Sequence, residues 1–171
     1  MSQTMSIAIE SLVTPLARVI DYMDLLAKDI PDRHFGHMPH PNMNHPAFCY
    51  GHLSIYPNRM LNMLDKSELK IEKAGWEDLF KAGVPCVEQD GRYPQKSEIV
   101  EYCIERHKAV REALTDVDEE IFTKVNPTEG KFRERFPHIG SALTFLTCAH
   151  TMVHLGQVSA WRRAMGLPSA M

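Results

Sequence analysis

Residues 141–165, SALTFLTCAHTMVHLGQVSAWRRAM, decide the fold. Their apolar residues recur at intervals of three and four, which predicts one long helix from about Ser141 to Met165. Gly166 follows as a stop and Pro168 lies just beyond. Arg162 and Arg163 fall in the last turn, at the negative end of the helix dipole. The expected inner stripe is Leu143, Leu146, Thr147, His150, His154, Gln157, Val158 and Trp161. Both histidines and the glutamine are therefore expected to point into the protein. Histidines four residues apart stand one above the other on a helix, with Cβ atoms about 6 Å apart. That separation lets two imidazoles meet one metal ion.

Outward from this stretch, the same periodicity predicts three further helices. The first runs from about Ser6 to Asp29 through Ile9, Leu12, Leu16, Val19, Ile20, Met23 and Leu26, and Pro15 implies a kink or a late start. The second is capped by Asn44 or His45, carries Pro46 in its first turn, and reaches about Asp65 with a bend at Pro57. Its apolar stripe is Cys49, Leu53, Tyr56, Met60 and Met63/Leu64, bordered by His52. Gly51 inside this helix costs about 1 kcal/mol against alanine, so it needs a close neighbour, helix or ligand, to explain it. The third helix spans about Ser97 to Thr115, with Ser97 as the expected cap and His107 on its inner face.

The long connection from Lys66 to Pro94 contains a short helical piece at residues 76–80, and connections of this length usually have a purpose. It crosses the bundle, covers a pocket with Trp76, Phe80 and Tyr93 as apolar lids, or both. Residues 116–137 read as loop with a short helix near 117–122. No period-two strand pattern appears. The expected fold is all-α: a four-helix bundle with a long crossover between the second and third helices, in a single domain over residues 1–171.

Composition limits the function classes. A net charge of −3 with no cluster of Lys and Arg argues against nucleic acid. No apolar run is long enough for a membrane span, and residues 2–10 do not resemble a signal peptide. Cys49, Cys86, Cys103 and Cys148 form no C-x-x-C pair, which suits small buried hydrophobes in a reducing cytoplasm.

Two neutral imidazoles on an apolar stripe need partners. Each finds a carbonyl, hydroxyl or water, or both bind one metal with His52 as a third donor from the second helix. Three histidines and an open fourth position make a catalytic zinc arrangement, and imidazole also suits nickel, iron or copper. His107 competes for a ligand role but reads as a hydrogen-bonded core residue. His34, His37, His40 and His45 lie in irregular chain that presets no ligand geometry. Thr151, Met152 and Val153 between the pair exclude the His-Glu-x-x-His protease signature. No acidic residue lies between Ser141 and Met165, so an activated nucleophile would be made by the metal itself.

The segment Asn44-His45-Pro46-Ala47-Phe48-Cys49-Tyr50-Gly51-His52-Leu53, followed by His150-x-x-x-His154-x-Gly156-Gln157 and Arg163-x-x-Gly166, resembles the DinB-like (DinB/YfiT) metal-binding four-helix bundles. The resemblance covers essentially the whole chain. It implies a divalent metal, zinc or nickel with iron as a further option, held by His52, His150 and His154. It places Gln157 and Arg163 in supporting roles and implies a homodimer. Some relatives transfer low-molecular-weight thiols, so the resemblance implies a metal-dependent thiol S-transferase or hydrolase. The alternative is a non-catalytic, stress-associated dimer with a vestigial or regulatory metal site. Val153 departs from the commonest family pattern, which has a further histidine there.

Overall fold

The computed structural model describes residues 5–170; residues 1–4 and 171 of the expected domain lie outside the described ones. The fold is all-α. Four helical limbs form the bundle: α1 (Ile7–Ala27), the broken pair α2 (Pro46–Ser54) and α3 (Tyr56–Met63), α5 (Lys96–Thr115), and the last limb. That limb comprises α7 (Ile139–Thr144), a π-helical stretch (Phe145–His150) and α8 (Thr151–Ala164). Short helices α4 (Trp76–Phe80) and α6 (Lys131–Arg135) lie in the two long connections. One isolated bridge, Val125 to His138, is the only β pairing among the described residues. None of the described helices is long and apolar enough to cross a membrane.

Ser6 caps α1 by accepting the Ile9 N–H, and the helix runs through Pro15 instead of starting late. His45, not Asn44, caps α2: its Nδ1 accepts the Phe48 N–H at 3.1 Å. Pro57 breaks the second limb between Ser54 and Tyr56, as its missing N–H and ring demand. The third limb begins two residues earlier than its expected cap allows, with Gln95 and not Ser97 at the N-cap.

Two apolar clusters fill the bundle. One joins the C-terminal half of α1 to α2, α4, the first half of α5 and α8, through Met23, Tyr50, Leu53, Phe80 and Trp161. The other joins the first half of α1 to α3, the second half of α5 and α7, through Leu16, Met60, Leu114 and Leu143. Partly buried Tyr56 and Ile104 pack against both. Along their limbs, the buried polar residues His107, Thr147 and Thr151 fall between members of the two clusters.

The last limb differs from the single helix expected. Its buried stripe is Leu143, Leu146, Thr147, Thr151, Leu155, Val158 and Trp161. His150, His154 and Gln157 therefore flank the core rather than lying in it. The hydroxyls of Thr144 and Thr147 donate to carbonyls four residues back, and Thr151 reaches five back to Leu146 at 2.7 Å. This back-bonding suits the widened turn, and π-bulges of this kind recur at functional sites.

Candidate metal centre

His52 closes the first half of the second limb, and its position depends on the glycine before it. A Cβ on Gly51 would stand 2.2 Å from Phe80 Cε1, so only glycine admits the Phe80 ring. With Phe80 seated, its carbonyl accepts a hydrogen bond from His52 Nδ1 at 2.6 Å. That bond fixes the tautomer and leaves the His52 Nε2 lone pair free.

His154 is held in the same way. Its Nδ1 donates to Gln157 Oε1 at 3.1 Å, one turn further along α8. The same oxygen accepts from Asn44 Nδ2 at 3.1 Å and from Cys49 Sγ at 3.5 Å, which ties α8 to the start of α2. His150 ends the π-helical stretch. Its Nε2 lies 3.3 Å from His52 Nε2, while its Nδ1 is buried without a partner. One ligand atom from each of the three histidines lies within 4.8 Å of the others.

The three imidazoles fit a divalent metal. Nitrogens bound at about 2.1 Å in a tetrahedral site stand about 3.4 Å apart, close to the His52–His150 separation of 3.3 Å. Two of the rings have their outer nitrogen engaged by an acceptor, as metal-bound histidines almost always do. Burial lowers all three pKa values, those of His150 to about 3 and of His154 to about 4. The neighbouring imidazoles lower His150 further, and the positive charge of Arg59 adds to the effect at His52 and His150. At neutral pH the rings are uncharged and their lone pairs are available for a cation. No Cys, Asp or Glu joins the group among the described residues.

The cluster opens into a cavity of ≈ 600 Å³ whose wall includes all three histidines, Tyr56, Asn44 and Cys86. A smaller cavity of ≈ 280 Å³ meets it at Tyr56 and His150 and is backed by Phe132 and Phe145. The Tyr56 ring sits 4.4 Å from His150 and 5.0 Å from His52, centroid to centroid.

The other candidates fall outside the cluster. His107 is 1 % exposed and donates from Nδ1 to the Cys103 carbonyl at 2.8 Å, the core role expected of it. His45 is consumed by its cap and by the Val87 carbonyl at 2.8 Å, and His37 pairs with Glu88. Neither His34 nor His40 joins the metal group. Val153 is 60 % exposed, pointing away from the cavity. Trp76, Phe80 and Tyr93 are buried wall and core residues, not lids; the loop Ala82–Cys86 forms the cavity edge instead. Arg162, not Arg163, performs the structural task. It is 2 % exposed, pairs with Asp29, and donates to the Leu26 and Pro168 carbonyls at 2.9 Å.

The family model described as the DinB superfamily matches residues 16–158. The chain belongs to the DinB superfamily. No curated protein and no solved structure matches the chain. For this DinB-superfamily chain the matched span contains His52, His150 and His154, together with Gln157. Asn44 and the Phe80 carbonyl were not foreseen as supports. Asn44 read as one of two candidate helix caps, with His45, and a backbone acceptor carries no sequence signal.

Proposed function

We propose that this protein is a divalent-metal-dependent enzyme that acts on a low-molecular-weight thiol, with zinc or nickel held by His52, His150 and His154. The observation that carries the reading is the convergence of three neutral imidazoles on the wall of an open cavity, two of them locked in the ligand tautomer. A bound divalent ion would supply Lewis acidity and stabilise the thiolate form of a substrate. The chain's own residues hold the site. Phe80 and Gln157 orient His52 and His154, Tyr56 walls the space beside them, and the cavity is of a size to take a small molecule. No carboxylate lines this cavity, so activation of a substrate thiol there would fall to the metal, while Glu129 lines the smaller cavity beside it. Following the family resemblance, we further propose a cytoplasmic homodimer. Met152 and Val153, exposed on the outer face of α8, are apolar surface available for it, and the mass in solution checks it.

The test is metal analysis of the untagged protein followed by thermal shift against a panel of cellular thiols. The wild-type chain should carry about one metal per chain, lost in His150→Ala, and one thiol should raise the melting temperature of the loaded protein only. Wild-type protein that takes up no metal ends the reading. Metal without any thiol response leaves a metal centre of non-catalytic kind.

A further inference from the structure

His150 is the one member of the cluster whose outer nitrogen has no partner. A second imidazole nitrogen is also buried and unpartnered: Nε2 of His107. The two rings stand at the same level of the bundle. On α5, His107 lies between Cys103, in one apolar cluster, and Val110, in the other. On the last limb, His150 lies between Leu146 and Leu155, which divide between the same two clusters. Both rings therefore lie where the two clusters meet, near enough for His107 to act on the charge of His150. Thr147 and Thr151 are buried at this level, each with a hydroxyl that donates to a carbonyl and keeps lone pairs free.

The hydrogen-bonding roles of the two orphans are complementary. His107 donates from Nδ1 to the Cys103 carbonyl, so its Nε2 is an acceptor. His150, binding a metal through Nε2, must carry its proton on Nδ1 and is a donor. Leaving both unpaired inside the protein would carry the full desolvation penalty of each. Buried waters resolve such pairs, at a frequency of about one per 27 residues.

We propose that a buried water joins His150 Nδ1 to His107 Nε2, making His107 a positioning residue for the metal centre. The inference rests on the three-histidine reading. In the metal-loaded protein the water accepts from His150 and donates to His107. Without metal, His52 Nε2 is an acceptor facing His150 Nε2 at 3.3 Å, so His150 donates there and its Nδ1 becomes an acceptor. The water then donates to both rings. Its place is the same in the two states, and one hydrogen bond reverses. His107 thus completes the pattern set by Phe80 and Gln157, with the water standing where the other two ligands have a direct acceptor.

Zinc affinity of the full chain, measured by chelator competition, tests this with His107→Leu and His107→Gln. Removing a second partner of this kind weakens metal binding about 10- to 100-fold, the loss expected for His107→Leu. His107→Gln keeps a side-chain acceptor and should restore most of it. Equal affinity in wild type and a folded His107→Leu overturns the relay while leaving the metal centre intact. Loss in both variants alike means that the ring acts by packing, and also overturns it. A wild-type chain that binds no zinc overturns the metal centre instead. The water is then judged by a crystal structure of the metal-free chain. Density within hydrogen-bonding distance of both nitrogens is expected there, and a dry gap sinks the proposal.

Discussion

Gly51 shows how a single missing methyl group can govern a distant imidazole. The Phe80 ring occupies the space that a Cβ would need, and the same residue's carbonyl holds His52 in its tautomer. Gly51→Ala must displace a ring buried in the core, so a loss of about 1–3 kcal/mol in stability is expected. It should also weaken zinc binding, because the Phe80 carbonyl moves with its ring. Gly156 is the control: a Cβ there meets nothing within 4 Å. Gly156→Ala should gain up to about 1 kcal/mol from helix propensity. Chemical denaturation of the two variants checks the contrast, and equal effects would refute the assigned role of Phe80. The pair His150 and His154 was legible in the sequence, because helical spacing alone brings them to one face. His52 joined them through the second helix's stripe and the family resemblance. What holds the three was not legible. The Phe80 carbonyl and the Asn44–Gln157 contact exist only once the crossover and the loop before α2 have packed.

At the scale of elements, periodicity located the four limbs and missed how the last one is wound. A 3.6-residue pattern reads straight through residues 145–150, since inserting a π turn shifts the inner stripe without removing any apolar residue. The consequence is functional: Thr151 and Leu155 take the core positions, and the two histidines move to the cavity wall. Helix α6 was read as loop because five residues around two arginines and a glutamate carry no apolar period, yet Phe132 on it backs the smaller cavity. The far end of α8 is anchored to α1 by Arg162. Its guanidinium pairs with Asp29, which holds that carboxyl below its usual pKa, and satisfies two carbonyls. Arg162→Met leaves these acceptors with no donor and should lower stability by about 2–3 kcal/mol. Arg163, exposed one residue on, should tolerate the same change within about 0.5 kcal/mol. Thermal melts of both variants decide which arginine ties the limbs.

For the molecule as a whole, the polar waist between the two apolar clusters makes stability depend on acid. His107 and His154 are held at about pKa 4 and His150 at about 3, in each case first by burial, and His45 and His52 are lowered for the same reason. In the unfolded chain these groups titrate near 6.5. Between about pH 6.5 and 4 the unfolded chain therefore binds protons that the native chain refuses, so stability falls as pH falls through that window. Above it, both states are neutral at these positions and they add no pH dependence. The metal-free protein should thus show a melting temperature that declines steadily from about pH 6.5 downward. The decline should be shallower in His107→Leu, which removes one of the refused protons, even though that variant starts from a different stability. Melting curves recorded at half-unit intervals from pH 8 to 4 measure both slopes. A profile that stays level down to pH 4.5 would mean that the waist already admits charge, and would contradict the buried, neutral imidazoles on which the metal centre depends.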